Sequence, residues 1–313
     1  MSNPSDSASA PRPAGFPHDN ASVAQRLGGE AFSVQARGFT FDGFRAEPAV
    51  AANGAPTVVL VHGWPQFASC WEEVSGTLLD QGFEVVAFDQ RGYSPGARPG
   101  DVEDYTLEQL ANDIDEVTRA LGIEKFHLVG HDWGGIIGWI YAAAHPERLH
   151  SFTSLASPHP VGQLQATAED PGQYEKMGYI RGIQADPAAS RDALFADDAA
   201  LLRALYGGAV DAETVAAYVE RFREPEIMDA VLKYYQALGK GQLPSSLTVT
   251  VPTLYIWGDE DIAFSRSSAE KTAEFVSGEY KFVDLAGASH WLPEERAGEI
   301  APEICAWIAV HED

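Results

Sequence analysis

Cysteine is nearly missing from these 313 residues: Cys70 and Cys305 are the only two. They make no metal-binding spacing and no disulfide framework, and their apolar surroundings point to buried thiols. Basic residues are scarce as well. Lys and Arg number 21 against 46 Asp and Glu, a formal net charge of −25. That balance argues against nucleic acid or an anionic membrane as partner, because both need basic patches. No apolar run is long enough to span a bilayer, and the N-terminus lacks the basic-then-apolar order of a secretory signal. The expectation is a cytoplasmic protein; the acidic balance fits a neutral or cationic ligand, solubility alone, or adaptation to salt. A homo-oligomer is compatible with this composition. No internal repeat is evident. The hydrophobic share of 45% supports a real core, and the length fits one large α/β domain.

What is present has an α/β rhythm. Residues 1–25 are rich in Ser, Pro and Ala and are expected to form a flexible arm. A hairpin is expected from Phe32 to Arg45. The runs PTVVLVH (56–62) and FEVVAFD (83–89) are short, apolar and β-branched, the pattern of strands covered on both faces. A crossover helix fits between them. Residues 107–122 read as a helix with Leu107, Leu110, Ile114, Val117 and Leu121 on one face and Gly122 as its stop. Then come the strand KFHLVG, a helix from Gly134 to Ala144, and a strand at 149–157. From 158 to 247 the pattern is helical, with no clear strand. The rhythm returns with PTLYIWGDED (252–261), a helix over 267–276, a strand from Tyr280, and a last helix through Trp307. The domain organisation is therefore a core (26–157 and 248–313) interrupted by a helical insertion (158–247), a common way to build a lid over an active site.

The glycines around one carboxylate carry the chemistry. Strand, Gly130-His131-Asp132-Trp133-Gly134, helix is the form G-x-nucleophile-x-G. Such a turn forces its central residue out at the sheet's mouth, against the positive end of a helix. A helix cap alone would also use Asp132, but a cap does not require paired glycines. A nucleophile needs a base, and the base an orienting group. His290 sits in AGASHW, just past the last strand, in a loop where open α/β sheets place their sites. LYIWGDED supplies Asp259, Glu260 and Asp261 at another strand end. The order nucleophile, acid, histidine is that of the α/β-hydrolases. His62-Gly63-Trp64-Pro65 follows the first central strand, and a backbone N–H from this loop and that of Trp133 are expected to converge on one oxygen as an oxyanion hole. His62 and Arg91 read as structural ties.

Taken together, these motifs resemble the α/β-hydrolase superfamily from Phe32 to Trp307, and within it the epoxide hydrolases. The resemblance favours Asp261, in Gly258-x-x-Asp261, as the triad acid and suggests a cis bond before Pro65. It implies that Asp132 opens an epoxide to an enzyme-bound ester and that His290 activates water to release a vicinal diol, with no cofactor and no metal. The substrate would be a small, neutral, apolar epoxide. The family's acids are lid tyrosines. Tyr234-Tyr235-Gln236 resembles the aromatic-Tyr-Arg motif, with Gln236 in place of the arginine, and matches Tyr235 to the acid. Tyr174 and Tyr179 are both candidates for the second tyrosine. A haloalkane-type dehalogenase shares the aspartate and is the rival reading. A non-catalytic binding protein on the same fold is the third.

Overall fold

The computed structural model describes residues 18–49, 54–224, 226–242, 244 and 246–312. Eight strands form one sheet: β1 (Glu30–Ala36), β2 (Phe39–Ala46), β3 (Thr57–Val61), β4 (Glu84–Phe88), β5 (Phe126–His131), β6 (Leu149–Leu155), β7 (Thr253–Gly258) and β8 (Tyr280–Leu285). Their order is β1-β2-β4-β3-β5-β6-β7-β8. The β1–β2 and β2–β4 pairs are antiparallel, and every later pair is parallel. The central strands β3, β4 and β5 are almost wholly buried, as continuous apolar runs require when helices cover both faces.

The helices are α1 (Asn20–Arg26), α2 (Glu72–Asp80), α3 (Leu107–Ala120), α4 (Trp133–Ala144), α5 (Pro160–Glu169), α6 (Pro171–Lys176), α7 (Gly178–Ala185), α8 (Pro187–Ala204), α9 (Ala212–Phe222), α10 (Ile227–Gln236), α11 (Arg266–Lys271), α12 (Leu292–Glu295) and α13 (Ala297–Ala309). The stretch between β6 and β7 is helical throughout its regular structure, from α5 to α10. Within α8, Asp197, Asp198 and Ala199 take left-handed dihedrals, so the helix is broken there. None of the helices among the described residues is long and apolar enough to cross a membrane. Both cysteines are buried.

Three expectations need correction. The N-terminal arm does not run to residue 25: Asn20–Arg26 is a helix, while residues 1–17 lie outside the described residues. The Asp19 carboxylate caps it by accepting from the Ser22 N–H at 2.7 Å. Val23 and Ala24 are buried, and the Asn20 amide donates to Asp89 Oδ2 at 3.0 Å. A Ser- and Pro-rich lead-in hid this local cap. The crossover after β3 opens with a 3₁₀ turn, Ala68–Trp71, before α2 starts. The helix expected over 267–276 is α11 followed by a 3₁₀ turn, Thr272–Phe275.

Asp89, just past β4, ties the insertion to the core. Its carboxylate accepts from the Ala68 N–H at 2.9 Å and from the Arg221 guanidinium of α9 at 2.8 Å. These charges are buried yet paired and hydrogen-bonded, which is what makes burial tolerable. The carboxyl ends of β3, β5, β7 and β8 all open on the side that the insertion covers.

Candidate active site

Asp132 sits between β5 and α4 with φ +50° and ψ −118°. A non-glycine residue there carries strain of about 1–3 kcal/mol, held in place by its surroundings. The surroundings are tight. A Cβ on Gly130 would lie 2.2 Å from the Gly134 carbonyl oxygen, and one on Gly134 would lie 2.0 Å from the Val61 carbonyl oxygen. A Cβ on Gly63 would strike the Asp132 side chain at 2.3 Å. Three glycines therefore let the turn, the helix start and the β3 loop converge on one carboxylate. The Ser157 hydroxyl secures the turn by donating to the Asp132 carbonyl at 2.8 Å.

The structure brings Asp132, His290 and Asp261 together. Asp132 Oδ1 accepts from the Trp64 N–H at 2.8 Å. Its Oδ2 lies 3.3 Å from His290 Nε2. On the other side, His290 Nδ1 is 2.9 Å from Asp261 Oδ2. Asp261 Oδ1 accepts from the N–H groups of Ala263 and Phe264 at 2.6 and 2.9 Å. Asp259, the alternative acid, turns away and accepts from the Gly287 N–H at 2.6 Å. A Cβ on Gly258 would lie 2.2 Å from the Ala288 carbonyl oxygen, so this glycine lets the two loops pass.

All three side chains are buried. Burial by itself lowers the His290 imidazole, but the carboxylates of Asp261 and Asp132 outweigh it and hold the ring up, at about 10. Burial pushes the Asp132 carboxyl the opposite way, and its bond to His290 brings it below the ordinary carboxylate range. Both neighbours thus favour the protonated form of the His290 ring.

A cavity of about 430 Å³ opens over Asp132 and His290. Its walls include the apolar side chains of Ile183, Leu194, Leu201 and Leu205 from the insertion. Tyr235 of α10 and Tyr179 of α7 line it as well, with ring centroids 5.6 Å apart. The Tyr235 ring also meets Trp64 at 5.8 Å and Trp133 at 5.0 Å, edge to face. Burial raises the Tyr235 hydroxyl well above its ordinary value, so it stays protonated. The neighbouring Tyr234 turns back toward the core, where its hydroxyl donates to the Arg91 carbonyl at 2.6 Å. Tyr174 stacks against the Arg181 guanidinium, outside the cavity lining; exposure does not separate the pair, since Tyr174 is 51% and Tyr179 42% exposed. The position of the tyrosines thus separates Tyr179 from Tyr174, which the sequence left open.

Trp64 presents its backbone N–H to the carboxylate, and the Trp64–Pro65 bond is cis. Trp133 begins α4, directly after Asp132. Its ring packs between Tyr234 and Tyr235. His62 holds its loop, with Nε2 accepting from the Gln90 N–H at 3.2 Å. Arg91 pairs with Asp113 at 2.5 Å. Both are the ties expected of them.

Two features were not anticipated. Lys176, the last residue of α6, lines the cavity and donates to the Asp261 carbonyl at 2.6 Å. No motif marks it, because it is brought in by the path of the insertion. His131 contacts the His290 carbonyl, and a chain of polar groups extends behind it. Its placement inside the elbow was a legible hint that it neighbours the site.

Comparison with known proteins agrees with this geometry. A family model for the alpha/beta hydrolase fold matches residues 56–297. An AB hydrolase superfamily protein of Bacillus subtilis, YfhM, is 35% identical over 83% of this chain and 93% of its own. Epoxide hydrolase A of Mycobacterium tuberculosis is 28% identical over 82% of this chain and 91% of its own. The crystal structure of epoxide hydrolase A from Mycobacterium thermoresistibile superposes with a TM-score of 0.76, at 25% identity, over 90% of this chain and 98% of that one. With its strand order, its elbow and these matches spanning most of its length, the chain belongs to the α/β-hydrolase superfamily.

Proposed function

We propose that the protein is an epoxide hydrolase that works through an aspartyl ester, without metal or cofactor. One juxtaposition carries the reading: the elbow carboxylate of Asp132 and the protonated hydroxyl of Tyr235 line the same largely apolar cavity. The named epoxide hydrolases among the relatives support it. The helices from α5 to α10 act as the lid that excludes water.

A carboxylate attacks a saturated carbon without prior deprotonation, so Asp132 needs no base for the first step. One of its oxygens bonds to an epoxide carbon as the C–O ring bond breaks. The departing oxygen takes a proton from Tyr235, and Tyr179, beside it in the cavity lining, assists. The ester is neutral, so His290 loses one of the two carboxylates that hold it protonated. Its proton can return to the tyrosinate, leaving a neutral imidazole. That imidazole takes a proton from water as the water oxygen attacks the Asp132 carbonyl carbon. The N–H groups of Trp64 and Trp133 receive the oxyanion. Collapse expels the diol and restores the carboxylate and the imidazolium.

One observation favours a second reading. Trp64 lines the cavity, and its indole N–H is buried without an acceptor among the described residues. A departing halide uses such donors, so a haloalkane-type dehalogenase is the alternative. Turnover of styrene oxide, an aliphatic epoxide and a bromoalkane separates them. Diol from the epoxides with little halide release is expected. Efficient bromoalkane turnover without epoxide turnover would overturn the assignment. No turnover of any of them would favour a binding protein.

A further inference from the structure

The polar chain behind His290 does not balance if its protons are counted in the obvious way. His131 Nε2 is 2.8 Å from the His290 carbonyl oxygen, which can only accept. His131 Nδ1 is 2.7 Å from the side-chain amide of Gln66. The other end of that amide lies 2.8 and 2.7 Å from the two oxygens of Glu294, in α12. Suppose Glu294 is ionised. The amide must then turn its NH₂ to the carboxylate and its oxygen to His131. Both ring nitrogens would face acceptors, and His131 would have to be an imidazolium.

Charge and burial speak against that state. Gln66 and His131 are fully buried. The His131 ring centroid is 5.1 Å from that of His290, which already carries a proton. Burial first, and then the charge on His290, holds the His131 imidazole down, at about 3. The other assignment gives each ring nitrogen of a neutral His131 a partner, and sets the Gln66 amide oxygen 2.8 and 2.7 Å from the two Glu294 oxygens, one of which can carry a proton. With the amide turned over, its NH₂ donates to His131 Nδ1, and neutral His131 donates from Nε2 to the His290 carbonyl. The amide oxygen then needs a donor, and Glu294 supplies one only as a carboxylic acid. The two orientations of a glutamine amide are told apart by this kind of network, not by atomic positions. The Tyr218 hydroxyl reaches Glu294 Oε1 at 3.2 Å, which leaves Oε2 to carry the proton toward Gln66. Burial also raises the Glu294 carboxyl, to about 7.

We propose that Glu294 is a protonated carboxylic acid in the folded protein and that, through Gln66 and neutral His131, it fixes the His290 backbone and so the aim of its imidazole. Glu294 is a positioning residue: it lines a second cavity, on Tyr218 and Cys70, and not the one over Asp132. The inference rests on the hydrolase reading for its kinetic arm only.

The test has two arms. Infrared difference spectra of wild type and Glu294→Gln at neutral pH should show a protonated-carboxyl C=O band that the variant loses. This arm needs no substrate, so it stands even if no epoxide is turned over. In single-turnover kinetics with styrene oxide, Glu294→Gln keeps a neutral donor and should stay near wild type in both half-reactions. Glu294→Leu should slow hydrolysis of the ester by about five- to tenfold, the scale of one lost buried hydrogen bond, and leave ester formation nearly unchanged. Absence of the carboxyl band would overturn the proposal. So would a Glu294→Gln variant as slow as Glu294→Leu, or equal slowing of both half-reactions by Glu294→Leu. Unchanged hydrolysis in Glu294→Leu would overturn it as well.

Discussion

The strand edge and the helical insertion contribute opposite kinds of group to one cavity. The edge supplies charge. Asp132, His290 and Asp261 each follow a strand, and loop N–H groups hold the two carboxylates. The insertion supplies mainly neutral hydroxyls and apolar walls, Tyr235 and Tyr179 among Ile183, Leu194 and Leu201, with Lys176 as its one charged lining residue among the described residues. The difference follows from backbone geometry. A strand that ends at a tight turn frees N–H groups that can solvate a buried anion. A helix interior spends its N–H groups on itself and offers only side chains. In the proposed mechanism, attack and hydrolysis belong to the sheet edge, and leaving-group protonation and substrate shape belong to the insertion.

The first way to break that division is at the charged edge. Asp132→Ala should abolish turnover of every substrate while circular dichroism stays that of the folded protein. Substantial residual activity would remove Asp132 as nucleophile. On the insertion side, Tyr235→Phe should slow ester formation within the range of about 10²- to 10⁴-fold that a positioned general acid contributes. The same change should matter far less for a bromoalkane, whose halide leaves without a proton. Single-turnover rates for both substrates give the comparison, and equal small effects would reduce Tyr235 to packing.

Tyr179→Phe should cost less than Tyr235→Phe, since one donor remains. Tyr174→Phe should cost nothing measurable, because Tyr174 stands outside the cavity. Steady-state kcat/KM for the three variants on one epoxide ranks them. If Tyr174→Phe were the more damaging of these last two, the assignment of the second tyrosine would be reversed.

The last effect is on stability rather than rate. The carboxylates of Asp261 and Asp132 overcome the lowering effect of burial and raise His290 from 6.5 to about 10 on folding. A proton bound more tightly in the folded state stabilises it fully below pH 6.5, and that contribution fades as pH rises through about 10. Thermal unfolding of wild type should therefore fall from neutral to alkaline pH. Asp132→Asn leaves only Asp261 facing the ring, so its decline should be shallower. Parallel pH profiles would mean that Asp132 does not hold the proton on His290.

Legibility in the sequence followed the same division. Strands β3, β4 and β5 were readable because burial on both faces leaves a continuous apolar run. The elbow was readable because its glycines have a steric cause that acts within five residues, Gly130 to Gly134. Asp261 and His290 were reached by order along the chain and by resemblance, since nothing local distinguishes Asp261 from Asp259. Tyr179 could not be told from Tyr174, which lies five residues away. Their difference is the direction of α6 and α7, set by packing across the insertion. Lys176 and Glu294 stayed hidden for a related reason. Each acts through a contact with a residue far away in sequence, Asp261 in one case and Gln66 in the other. The helix at Asn20 was missed because its composition resembles that of the arm, and its partner, Asp89, is distant.

The central claim is that Asp132 forms an ester that only His290 can release. His290→Gln mixed with an epoxide, followed by intact-protein and peptide mass spectrometry, tests it most directly. The account predicts one added substrate mass, mapping to Asp132, that persists because hydrolysis is stalled. Protein that binds the epoxide yet stays unmodified, or carries the mass on another residue, would contradict it.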